Sequence, residues 1–234
     1  MLGKARFAIG INEAELMPVV LDFDAQPHLV VFGEAECGKT GLLRNIATGV
    51  MENASPEQCK IVLVDYRRSM LGVVANDYLG GYATASQSCT ELMGALAETL
   101  RERIPPSDIT QQQLKERSWW SGPDIFVMID DYDLVATGSI SSPLSPLVEF
   151  LPQARDIGLR IVVARRIGGA GRAMMDPFVG RLKDLSCNAL VMSGTKDEGA
   201  LFGYKASEMP PGRGMLISRT AKSGVIQLSR MADL

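Results

Sequence analysis

The sequence predicts an α/β fold, with a mostly parallel central sheet covered by helices. Two observations lead there. Apolar runs at residues 28–32, 61–64, 125–129, 161–164 and 189–192 are continuously hydrophobic rather than alternating, as in strands buried on both faces. The segments between them are long enough for crossover helices, and strands alternating with helices pair in parallel. A chain of 234 residues, 46% hydrophobic and 22% charged, suits one enlarged globular domain over positions 1–234.

The elements follow in chain order. Residues 5–11 and 16–23 read as short strands leading into the core. The first buried strand ends at Phe32, and a helical stretch with Leu42, Leu43, Ile46 and Val50 begins near Thr40. Leu92, Leu96 and Leu100 mark a second helix, over 91–103, that Pro105-Pro106 stops. Ser88-Cys89-Thr90-Glu91 and Thr195-Lys196-Asp197-Glu198 have the form of capping boxes. Gly80-Gly81 and Gly168-Gly169-Ala170-Gly171 read as loops, and the second has the wrong spacing for a dinucleotide fingerprint. Pro210-Pro211-Gly212-Arg213-Gly214 is a rigid turn before a C-terminal β-hairpin, with strands at 214–218 and 225–229.

Composition excludes several classes of function. A net charge of −3 lacks the basic footprint of a nucleic-acid binder. His28 is the only histidine, and Cys37, Cys59, Cys89 and Cys187 are widely spaced, which argues against a zinc site and a histidine-based triad. Unpaired thiols suit a reducing cytosol. No signal-peptide pattern or apolar run of bilayer length is visible.

One motif carries specific chemistry. Gly33-Glu34-Ala35-Glu36-Cys37-Gly38-Lys39-Thr40, followed by Gly41, fits GxxxxGK[ST] at every fixed position. It lies between a strand and a helix, where backbone amides and the helix dipole converge on phosphate. Lys39 would reach the β- and γ-phosphates of ATP, and the Thr40 hydroxyl would ligate Mg2+. Glu34 and Glu36 oppose this. A carboxylate ~8 Å from a γ-phosphate costs ~2 kcal/mol per unit charge at an effective dielectric near 20. They weaken binding without forbidding it. A thiol at a helix start, such as Cys37, tends to a lowered pKa, although a small filler is the plainer reading.

A second acidic motif follows the strand at 125–129. Asp130 would hold the metal through water. Asp131 stands where hydrolysing P-loop ATPases commonly place a water-polarising glutamate, and a group one methylene short can lose roughly a hundredfold in rate. Asp65 and Arg67 follow another strand, and Arg165 and Arg166 a third, as candidate phosphate sensors or interface residues. Trp119-Trp120 reads as an aromatic cover over the sheet edge, or as a stacking surface for a base or peptide.

Together, GEAECGKTGLLR, VDYRRSMLGVV, RSWWSGPDIFVMIDDYDLVA, LPQARDIGLRIVVARR and MPPGRGMLISR resemble the last ATPase domain of the EccC family, from about Phe7 to Leu228. These are the FtsK/SpoIIIE-type motors of mycobacterial type VII (ESX) secretion systems. The resemblance implies a RecA-like P-loop NTPase fold and several such domains in tandem. It implies a cytoplasmic location, as the soluble part of an inner-membrane secretion complex. It further implies that WXG100/Esx-class substrates dock through a C-terminal tail, and no nucleic-acid partner is expected. Active motors of this type carry Asp-Glu and Thr-Gln pairs where this chain has Asp130-Asp131 and Arg165-Arg166. Both departures fall on hydrolysis rather than binding. The reading is therefore an ATP-binding domain with weak or absent turnover that regulates a neighbouring motor domain. A fully active translocation motor and a nucleotide-free docking module are the alternatives.

Overall fold

The computed structural model describes residues 5–136 and 142–230. Along the chain run β1 (Arg6–Asn12), β2 (Pro18–Asp22), β3 (His28–Gly33), α1 (Lys39–Asn53), β4 (Cys59–Val64), β5 (Leu79–Ala83), α2 (Ser86–Arg101) and α3 (Gln111–Glu116). There follow β6 (Asp124–Ile129), α4 (Tyr132–Val135), a 3-10 helix (Ser145–Gln153), β7 (Leu159–Arg166), α5 (Ala170–Ala173), α6 (Pro177–Asp184) and β8 (Asn188–Met192). A small β9–β10 pair (Ala200–Leu201, Tyr204–Lys205) precedes β11 (Arg213–Ile217) and β12 (Gly224–Leu228).

Among the described residues, ten strands form one sheet in the order β2-β1-β12-β11-β8-β3-β7-β6-β4-β5. The six from β8 to β5 are parallel. The four from β2 to β11 are antiparallel to their neighbours. β3, β6 and β8 read as apolar runs because helices cover both their faces, so neither face needs polar side chains. On one face α1 packs over Phe7, Phe23 and Phe126, whose rings lie 5.5–6.0 Å apart. On the other, α2, the 3-10 helix and α6 bury Val30, Val127 and Val163.

Some elements differ from the sequence reading. Gly80-Gly81 lies inside a strand, not a loop. α2 packs so closely that a Cβ on Gly81 would stand 2.5 Å from the Leu92 side chain, so glycine here serves close approach rather than a turn. Ser88 is not the cap of α2. The helix starts at Ser86, and the Ser88 hydroxyl accepts from the Ala85 N–H at its third position. Thr195–Glu198 caps no helix. It forms a 3-10 turn over Lys196–Glu198, from which the Glu198 carboxylate accepts the N–H groups of Gly169 and Gly171 at 2.7 and 3.1 Å. That clamp fixes the glycine-rich segment, part of which is α5.

The sheet order positions the site. β7 lies between β3, which ends in the GxxxxGK[ST] loop, and β6, which ends in the acid pair. Because β3, β4, β6 and β7 are parallel, their C-terminal ends present all of these segments at one edge.

Candidate functional site

The loop between β3 and α1 is shaped by contacts beneath it. Glu36 and Gly38 have positive φ, 59° and 109°. Gly38 precedes α1, whose first turn has no side-chain cap and no acidic residue. The amides there thus face outward with no anion of the chain's own, the arrangement that binds phosphate. A Cβ on Gly33 would fall 2.4 Å from the Cys37 sulfur, so glycine at 33 and a compact side chain at 37 are matched. Cys37 is buried, its thiol contacts the Met192 sulfur at 3.8 Å, and its backbone carbonyl accepts the Gly212 N–H at 2.7 Å. Burial pushes its pKa up rather than down, against the tendency of a helix start. Cys37 is a filler, and the loop rests on the Pro210-Pro211-Gly212 turn.

The side chains expected to meet nucleotide converge. The Lys39 ammonium donates to the Gly33 and Glu34 carbonyls at 3.0 and 2.7 Å, folded over the loop. Thr40 Oγ1 donates to Asp130 Oδ2 at 2.7 Å. A hydroxyl and a carboxylate oxygen in direct contact, beside an uncapped helix start, are a fitting donor set for Mg2+ joined to a triphosphate. Ala35 and Glu36 are exposed, Glu34 is half-buried, and Gly41 follows Thr40 in the first turn of α1.

Asp131 is arranged differently. It sits at φ 47°, ψ 54°, a left-handed conformation uncommon for a non-glycine residue. Its N–H donates to Asp130 Oδ1 at 3.1 Å, and its carboxylate pairs with Arg67 Nε at 3.1 Å. Burial, then the adjacent Asp130, raises its pKa above the usual carboxylate value, and Arg67 and Lys39 oppose the rise.

The other candidates spread out. Asp65 is buried, and its carboxylate accepts the N–H groups of Ser69 and Met70 and the Tyr82 hydroxyl. Arg165 is buried on the face away from α1, where its guanidinium donates to the Arg166 and Gly168 carbonyls. It lines a cavity of about 450 Å3 with Tyr132, Asp133, Arg172 and Asp176. Arg166 is exposed at the end of β7, and its N–H donates to Asp133 Oδ1. Sequence reasoning missed Ser69, whose hydroxyl donates to Asp130 Oδ2 at 2.7 Å. A serine four residues past a strand-end Asp gives no signal until the loop is folded.

Comparison with known proteins follows this geometry. The model of the FtsK/SpoIIIE family matches residues 4–165. The chain belongs to the FtsK/SpoIIIE family. Within it, the chain is similar to the ESX secretion system protein EccC of Thermomonospora curvata, 46% identical over 223 residues, 95% of this chain and 17% of that protein. It is 43% identical to the ESX-4 secretion system protein EccC4 of Mycobacterium tuberculosis, over 96% of this chain and 18% of the relative. The structure of T. curvata EccC (ATPases 2 and 3) in complex with a signal sequence peptide superposes with a TM-score of 0.94, at 43% identity, over 98% of this chain and 41% of that one. The chain thus spans under a fifth of the length of these EccC relatives. The fold is the FtsK/SpoIIIE P-loop ATPase fold seen in EccC. No helix among the described residues is long and apolar enough to cross a membrane.

Proposed function

We propose that this FtsK/SpoIIIE chain is an ATP-binding ATPase domain of a type VII secretion motor, the last of several in its polypeptide. It binds Mg-ATP, hydrolyses it weakly or not at all, and regulates the adjacent motor domain. The observation that carries the reading is the split within the acid pair. Asp130 meets Thr40 beside the phosphate loop, while Asp131 is short for its task and engaged by Arg67. Binding chemistry is kept and water activation is not.

The domain also recognises WXG100/Esx-class substrates through a C-terminal tail. The signal sequence peptide held by the T. curvata relative supports this. A fitting surface here is the groove of about 350 Å3 between α2 and the β4–β5–β6 sheet, floored by Val62, Leu92, Leu96 and Ile125. Its chemistry suits apolar side chains of a docked peptide. The chain works on the cytoplasmic side, and other domains of the polypeptide join it to the membrane complex.

The test is steady-state ATP turnover of the chain beside Mg-ATP binding. Binding with turnover far below that of active motors supports the proposal. Turnover comparable to active motors, abolished by Lys39→Ala, contradicts its regulatory half.

A further inference from the structure

The loop over residues 65–70 supplies the Arg67 of the reading above, and it touches both members of the acid pair. Asp65 sets its shape: one carboxylate oxygen takes the Ser69 N–H at 3.1 Å, and the other takes the Met70 N–H at 2.7 Å. Tyr82, from β5, donates its hydroxyl to the same carboxylate at 2.8 Å. Arg68 takes up the turn at φ 60°. Two side chains reach forward from this frame. The Ser69 hydroxyl stands 2.7 Å from Asp130 Oδ2, the oxygen that Thr40 also reaches, while Asp130 Oδ1 takes the Asp131 N–H. The Asp130 carboxylate is thereby oriented from both sides. Arg67 Nε stands 3.1 Å from Asp131 Oδ2.

We propose that the 65–70 loop is a brace that divides the labour of the two carboxylates. Ser69 is a positioning residue that aims Asp130 at the metal, and Arg67 withholds Asp131 from water. A carboxylate polarises water with a free oxygen, and the Arg67 guanidinium occupies the Asp131 oxygen it meets. The burial of the pair is unequal, with the Arg67 side chain 57% exposed and that of Asp131 15% exposed. Arg67 is therefore the half that can leave. The inference rests on the proposed ATP binding at the phosphate loop and adds a device that keeps turnover low.

Calorimetry with ATP, with and without Mg2+, and turnover measurements test it on five proteins: wild type, Ser69→Ala, Arg67→Gln, Arg67→Lys and the double variant Arg67→Gln/Asp131→Asn. Ser69→Ala should weaken Mg-ATP binding about fivefold and leave metal-free ATP binding unchanged. Arg67→Gln should raise kcat about fivefold or more, with Mg-ATP affinity within about twofold of wild type. Arg67→Lys should return the rate toward wild type, and the double variant should lose the gain. An Arg67→Gln rate at or below wild type, or a gain that persists without Asp131, overturns the Arg67 half. Unchanged metal dependence in Ser69→Ala overturns the Ser69 half. Wild type that binds no Mg-ATP overturns the functional reading and the brace together, whereas binding without these shifts overturns the brace alone.

Discussion

The two ends of the parallel sheet carry the same kinds of residue and use them in opposite ways. At the N-terminal ends of the strands, the guanidinium groups of Arg160 and Arg103 find partners within the chain. Arg160, fully buried, pairs with Asp24 at 2.9 Å and Asp124 at 3.3 Å. Arg103 donates to the Pro123 and Ile157 carbonyls and lies 4.4 Å over the Trp120 ring. Trp119 and Trp120 donate their indole N–H groups to the Arg103 and Asp156 carbonyls. At the C-terminal ends, a helix start is left without a cap, and two aspartates stand side by side. At the first end Arg160 answers two carboxylates, whereas at the second Arg67 answers Asp131 and the adjacent Asp130 carboxylate is met by the hydroxyls of Thr40 and Ser69. The uncapped helix start and the Asp130 carboxylate are what the second end offers a ligand. An arginine or tryptophan in this sequence is therefore no functional signal by itself, because its partners decide.

That contrast can be broken. The largest effect is expected from Arg160→Ala, which strands Asp124 beside a buried space. It should lower stability by about 3 kcal/mol, the low end for a broken buried pair because Asp24 is half exposed. Chemical denaturation reads the loss, and the ATP affinity of the folded fraction should not move. A change in affinity would show that the two ends are not independent.

His28 sharpens the same division. It is buried, its Nε2 lies 3.4 Å from the Leu151 carbonyl, and burial lowers its pKa from 6.5 to about 4. The unfolded chain therefore holds more protons than the folded one between those values. Stability should be full above pH 6.5 and fall as pH drops toward 4, by at most about 3 kcal/mol. His28→Leu should flatten denaturation curves in that window without altering ATP affinity. A slope that persists in the variant would assign the acid sensitivity to another group.

At the other end, Gly33→Ala drives a Cβ into the Cys37 sulfur and to 2.9 Å from the Met192 Cβ. Overpacking of this kind costs about 1–3 kcal/mol, and it should displace the phosphate loop and abolish ATP binding. Adding Cys37→Ala should restore part of both. Wild-type affinity in Gly33→Ala alone would deny the packing its role. The smallest change is Trp120→Phe, which removes one hydrogen bond, worth about 1 kcal/mol, and should leave nucleotide and peptide binding untouched. Loss of peptide binding would revive Trp120 as a stacking surface.

Much of this was legible in the sequence, for physical reasons that differ by element. The buried strands were visible because burial on both faces demands unbroken apolar runs, and β3, β6 and β8 match. The phosphate loop was visible because its chemistry needs fixed residue types at fixed spacing. β5 was hidden because its glycines are set by the approach of Leu92, a contact some ten residues away that no local pattern reveals. The start of α2 was misplaced because Ser88 bonds back to Ala85 from inside the helix, using the chemistry of a cap at another position. Ser69 and the direction of Arg165 depend on how loops fold across strands, and spacing carries none of that.

The central claim is that the C-terminal edge of the sheet still binds nucleotide while its chemistry is held back. Isothermal titration of Mg-ATP into wild type and Lys39→Ala, with folding checked by circular dichroism, tests it most directly. The account predicts saturable binding by the wild type and none by folded Lys39→Ala. No binding by the wild type, or equal binding by both, would contradict it.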